Sequence, residues 1–174
     1  ENLFSLNSNG ALDQISVTVT QGAVTAAHLL AIDNVTPILV TATAISKITG
    51  SGNDVKSVLA ATGLSIPTDV PIDVTGVIDV ATANTIATGT TGQVDFTGSI
   101  DGTAASMAAA TTGNNITAGD ETAAFDAATK AGADNGDNAV AINVTTAANV
   151  AQANAIAAAT GGQVQFTAGI EDTA

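Results

Sequence analysis

Apolar and polar positions along this chain follow two rhythms that take turns. Val17/Val19 and Ile38/Val40 alternate with polar, β-branched neighbours, which is the period of a strand with one covered face. Between them, Val24, Ala27, Leu30 and Ala31 fall at i, i+3, i+6 and i+7, on one side of a helix. The same quartet recurs as Val80, Ala83, Ile86 and Ala87, and again as Val150, Ala153, Ile156 and Ala157. The patterns predict strands over 15–20, 37–42, 71–75, 92–97, 140–145 and 162–167, with helices over 23–32, 79–88 and 148–159. A second, Ala-rich helix is expected after the second strand of a copy, from Asp54 to Ala61 and from Thr103 to Ala110.

These recurrences are copies of one unit. Residues 72–104 and 142–174 align without a gap at an offset of 70, with 18 of 33 positions identical. A more diverged copy lies upstream at an offset of about 56. The unit reads strand, helix, strand, helix, and such alternation implies parallel strands joined by helical crossovers. A unit this small cannot cover its own apolar faces, so its neighbours must stack on it. The expected fold is therefore α/β, a repeat solenoid with parallel strands. Its approximate units are 11–63, 70–113 and 138–174, and an inserted segment, 114–137, carries one further helix around Asp120 to Ala131. Ala174 matches Ala104, the start of a helix in the preceding copy, which leads us to expect that at least another half-unit followed.

Composition narrows the chemistry. Of 174 residues, 36 are Ala, 27 Thr and 17 Gly, so the core must be built from small and β-branched side chains in closely spaced layers. A net charge of −13 argues against nucleic acid, whose affinity comes from Lys and Arg on the phosphates. The absence of Cys removes thiol catalysis, disulfides and thiolate metal sites. The absence of Arg removes the bidentate grip on carboxylates and phosphates. No apolar stretch approaches the roughly 20 residues of a membrane span. Glu1-Asn2-Leu3-Phe4-Ser5 lacks the features of a signal peptide, as expected of a chain cut from a larger polypeptide.

Few residues are candidates for chemistry. His28 is the one imidazole, and Asn84 and Asn154 hold its place in the other copies, so it reads as a polar helix position. A Ser-His-Asp triad would need that same residue, and no Ser sits in a nucleophile elbow. Asp95 and Asp101 could pair for acid–base work, but Gln165 replaces Asp95 one copy later, which suggests a solvated strand face. Gly50-Ser51-Gly52-Asn53-Asp54-Val55 resembles one calcium-binding nonapeptide of the repeats-in-toxin type, with Asn53 and Asp54 as candidate ligands. Asp134 and Asp137 offer a second acidic turn, without the Glu that closes an EF-hand loop. The plainer reading of both is a Gly/Asn/Asp turn. Calcium is thus a candidate ion and no cofactor is required. Thr20, Thr75 and Thr145 repeat after the strand valines, as exposed strand residues do.

The pattern Ile-x-Val-Thr, then Val-Ala-x-Ala-Asn-x-Ile-Ala, then Gly-Gln-Val-x-Phe-Thr-x-x-Ile-x-x-Thr-Ala resembles repeats of very large bacterial surface proteins, marine cyanobacterial ones especially. The resemblance covers most of 72–174 and, more weakly, 15–63, where Pro37 and Leu39 depart from it. It implies a non-enzymatic structural module at the cell surface or outside the cell, built into an extended array. Its partners would be neighbouring repeats or other copies of the chain. An adhesion or ligand-binding module, or a segment of a virion fibre or spike, is the alternative, and no small-molecule ligand is named by any motif.

Overall fold

The computed structural model describes residues 15–20, 22–112, 140–158 and 162–171. The inserted segment, its helix around Asp120 to Ala131, and Asp134 and Asp137 lie outside the described residues. In chain order the elements are β1 (Gly22–Thr25), α1 (Ala26–Asp33), β2 (Val40–Thr41), β3 (Ile45–Ser51), α2 (Gly52–Ala60) and β4 (Leu64–Ser65). There follow β5 (Ile72–Thr75), β6 (Ile78–Asp79), α3 (Val80–Gly89), β7 (Val94–Phe96), β8 (Ser99–Gly102) and α4 (Ala104–Thr112). The last are β9 (Ala141–Val144), β10 (Ala148–Asn149), α5 (Val150–Ala158), β11 (Val164–Phe166) and β12 (Ile170–Glu171).

The fold is mixed α/β with parallel strands. Two four-stranded sheets run β1-β3-β5-β7 and β11-β9-β8-β6, and two smaller ones pair β2 with β4 and β10 with β12. Every pairing between described strands is parallel. The register is regular. Val24 pairs with Ile48, Ile48 with Ile72 and Ile72 with Val94, so each partner follows the last at a short and nearly constant interval. In the other large sheet, Ile78 pairs with Ile100 and Ile142 with Val164, and the interval from Ile72 to Val94 repeats in both. The pair Ile100 and Ile142 breaks this spacing, because the inserted segment enters between them.

These registers stack like on like. Ile48 and Ile72 form one buried row; Ile78, Ile100 and Ile142 form another, and the helices cover them with Leu29, Val55, Val58, Ile86, Met107 and Ile156. α1 packs on α2, α2 on α3, and α4 on α5.

Local signals fix where each helix begins. Thr25, Ser51, Asp79, Thr103 and Asn149 each accept a hydrogen bond from the backbone N–H three residues on. This satisfies a donor that the first helical turn would otherwise leave open. At the last helix Gln152 reciprocates, accepting from the Asn149 N–H at 3.1 Å to complete a capping box. Gly76 has φ +80°, a conformation that costs glycine little, and a Cβ on Gly98 would collide with the Gly76 carbonyl.

Several expectations need correction. Residues 22–25 are strand, and the first helix begins at Ala26, held there by the Thr25 cap. Matched cap to cap, Thr25 is the equivalent of Asp79, so the first copy sits closer to the second than an alignment of Val24 with Val80 places it. Its inward face moves accordingly. Ala26 and Leu29 are buried there, whereas Ala27 and Ala31 are exposed. In the second copy Val80, Ala83, Ile86 and Ala87 are all buried, as the spacing predicts. In the third, Ala153 and Ile156 are buried, but Ala157 is exposed and Val150 is 47% exposed. The expected strand 15–20 reduces to a bridge between Thr18 and Thr41. The expected strand 37–42 reduces to Val40–Thr41, and the seven-residue β3 as well as β6, β8, β10 and β12 lie outside the predicted strands.

Candidate functional site

The most chemically varied surface lies where β6 and β8 end. Parallel register brings Asp79 beside Asp101, and Asp101 beside Asn143 on β9. On one side is a cavity of about 350 Å³ lined by Ser51, Asn53, Thr75, Gly76, Asp79 and Asp101, among others. On the other is a shallower depression of about 400 Å³ that shares both carboxylates and adds Thr103, Ser106 and Thr145.

Most polar groups here already have structural partners. Asp79 Oδ1 accepts from the Thr82 N–H at 2.6 Å as the α3 cap. Asp101 accepts from Ser99 Oγ at 3.0 Å and from Asn143 Nδ2 at 3.3 Å. Thr103 Oγ1 donates to Ser106 Oγ at 3.0 Å. The buried Asn143 Oδ1 atom lacks a hydrogen-bond partner. The arrangement is a polar ladder: two carboxylates and an amide on successive rungs, held by a hydroxyl and by backbone N–H groups. Such a ladder can attract cations to its surface by charge. Among the described residues, no three His, Cys, Asp or Glu side chains converge on a point where a metal could sit.

The residues singled out by sequence are dispersed. Asn53 is exposed and Asp54 half-buried in the first turn of α2. Asp54 Oδ2 accepts from Ser51 Oγ at 2.8 Å, and its N–H donates back to that oxygen at 3.3 Å. The glycine-rich hexapeptide is thus the end of a strand followed by a helix cap. His28 is exposed on α1, its N–H donating to Thr25 Oγ1 at 3.2 Å. Asp95 lies on β7 beside Asp73, whose carboxylate pairs with Lys47 Nζ at 2.9 Å across half-exposed surface. An exposed pair of this type contributes little. No described helix is long and apolar enough to cross a membrane.

What the sequence pattern does not reveal is how a set of threonines is bonded. Thr97, Thr145 and Thr167 each bind a carbonyl at or next to the end of a neighbouring strand with both N–H and Oγ1: Val74, Gly102 and Val144 respectively, at 2.8–3.1 Å. Thr90 is buried, donates to the Val70 carbonyl at 2.9 Å and accepts from the Gly92 N–H at 2.9 Å. Thr36 does the same with Ile15 and Ile38. A signal is present in the repeated Phe96-Thr97 and Phe166-Thr167, but strand propensity alone explains a Thr there equally well. These hydroxyls join rung to rung. Comparison of the chain with protein-family models, with curated proteins and with solved structures found no match.

Proposed function

We propose that this chain is a structural repeat module, a stretch of solenoid with short coils of nearly constant length, from a large protein at the cell surface or outside the cell. The observation that carries this reading is the register: parallel partners recur at the interval of Ile48 to Ile72, or of Ile72 to Val94, through both large sheets. Stacked rungs of this type build length with few residue types. The polar groups support the same reading, since threonine hydroxyls and the Asp101–Asn143 contact are engaged in joining neighbouring strands. Two of these coils would make up each strand-helix-strand-helix copy seen in the sequence.

The test has an architectural and a cellular arm. Deleting residues 79–100 removes one whole rung and joins Ile78 to Asp101 in register. A cooperative melt and native-like circular dichroism are expected for that variant, and loss of structure for a deletion of half that length. Antibody raised against the chain should label intact producing cells or their medium. Labelling only after lysis would overturn the surface assignment.

A further inference from the structure

The cavity beside Asp79 and Asp101 has an equivalent place one copy later, and the two are finished differently. Ser51 caps α2 where β3 meets β5, and Thr103 caps α4 where β8 meets β9, so Gly52 and Ala104 open equivalent helices. At the later place the protein satisfies its own donors. The Ala104 N–H donates to Thr146 Oγ1 at 2.9 Å, and Gln152 Oε1 accepts from the Asn149 N–H at 3.1 Å. In the earlier copy Gly76 and Thr82 stand where Thr146 and Gln152 stand later. Gly76 brings no hydroxyl to the Gly52 N–H, a first-turn donor that the helix itself leaves open. In place of the two side chains is a cavity of about 350 Å³, whose wall includes Gly52, Gly76 and Thr82. Thr82 is only 6% exposed, yet its Oγ1 keeps access to the cavity and makes no hydrogen bond among the described residues.

The groups around the cavity define the chemistry of its occupant. Asp79 and Asp101 present carboxylates, which accept from hydroxyls and repel anions. The N-termini of α2 and α3, helices of nine and ten residues, bring N–H donors and a positive dipole end, which disfavours a bare cation. Val77, 65% exposed, adds an apolar wall. A ligand that suits all of these is neutral, carries several hydroxyls that both donate and accept, and has a C–H face. A sugar ring has these properties. The volume is that of a small-ligand pocket, and the site lies beyond the carboxyl ends of parallel strands, where α/β folds take ligands.

We propose that this cavity binds a neutral sugar residue. One ring hydroxyl accepts from the Gly52 N–H, as Thr146 Oγ1 does from Ala104, and bonds to Thr82 Oγ1. Neighbouring hydroxyls donate to Asp79 and Asp101, and a C–H face lies on Val77. The repeat reading and this one fail separately, since a chain can bind a sugar here whether or not it tolerates loss of a rung.

The experiment is an amide chemical-shift titration of the full chain with glucose, galactose, mannose and N-acetylglucosamine, and with glucuronate, inorganic phosphate and calcium for contrast. At least one neutral sugar should move the amides of Gly52, Asn53 and Gly76 saturably, and the three charged probes should not. Thr82→Val keeps the shape of the side chain and removes its hydroxyl, so circular dichroism should be unchanged while binding weakens about tenfold. Thr85→Val, at an exposed position of α3, should bind as wild type does. Silence from all four sugars, an equal response to glucuronate or calcium, or binding indifferent to Thr82→Val would each overturn the proposal.

Discussion

Residues 72–104 and 142–174 share 18 of 33 positions, yet the structure treats them differently. Val80 and Ile100 are buried, while Val150 and Ile170, their equivalents, are about half exposed. Nothing in the side chains accounts for this. Ile100 lies on β8, between β6 and β9, whereas β12, which carries Ile170, has a described neighbour on one side only. The burial of these isoleucines follows from the strands beside them, and an identical residue changes its energetic role with its place in the sheet.

Mutations at matched positions test that comparison. The largest difference is expected for Ile100→Ala against Ile170→Ala. Ile100 is fully buried, so its truncation should cost about 2–5 kcal/mol in a denaturant melt, whereas Ile170→Ala should cost less than about 1 kcal/mol. Equal losses would show that the open edge is covered in solution by some other contact. A smaller contrast lies in the turns. Gly98 abuts the Gly76 carbonyl, and in the later copy both glycines are replaced together, by Ala168 and Thr146. Thr146 Oγ1 there accepts from the Ala104 N–H at 2.9 Å. Gly98→Ala should therefore destabilise by about 1–3 kcal/mol through overpacking, and Ala168→Gly by less than about 1 kcal/mol. Thermal melts of the two variants would separate them.

Threonine locks should give a milder effect, similar in both copies. Thr97→Val and Thr167→Val each remove one hydroxyl bond to a preceding carbonyl, worth about 1 kcal/mol, while keeping the backbone bond. A markedly larger loss at Thr167 would mean that the open end depends on its hydroxyl more than the interior does. The smallest expected effects are at the residues that the sequence offers for chemistry. His28→Asn reproduces the amide found at Asn84 and Asn154 and should leave the melting temperature unchanged. Asp54→Ala should cost about 0.5–1 kcal/mol by weakening the α2 capping interaction. Calcium and magnesium should raise stability equally in wild type and variant, through screening. A calcium-specific shift abolished by Asp54→Ala would establish a site at the α2 turn.

The comparison also explains how much of the molecule its sequence discloses. The main strands around Ile72, Val94, Ile142 and Val164 and the helices α3 and α5 are legible because each has its own periodicity and is repeated, and α2 and α4 because Ala-rich sequence favours a helix. The first helix is displaced in the pattern because Val24 aligns with Val80, when Thr25, a cap, is the residue equivalent to Asp79. Strands such as β6 and β10 are not legible, since two residues become a strand only when the next rung supplies hydrogen bonds. α5 packs against α4, a contact that the pattern does not register. The candidate site is partly visible in the Asp-to-amide exchanges between copies. The cross-strand contact of Asp101 with Asn143, reached across the inserted segment, is not.

The spacing of the paired strands has a consequence for how the chain acquires its structure. Partners such as Ile48 and Ile72, or Ile78 and Ile100, stand close along the chain and can meet early, since the loop between them closes at modest entropic cost. No rung must wait for a distant one. Neighbouring strands can therefore pair without waiting for distant parts of the chain. The one longer step, from Ile100 to Ile142, nearly doubles the loop and adds only about 0.6 kcal/mol to its closure. That interval is where extra residues are cheapest to carry, and it is also the seam across which growth of the folded region should pause. Opening would run in the opposite sense, from the last rung inward, with amide protons of β11 and β12 exchanging before those of β5 and β8.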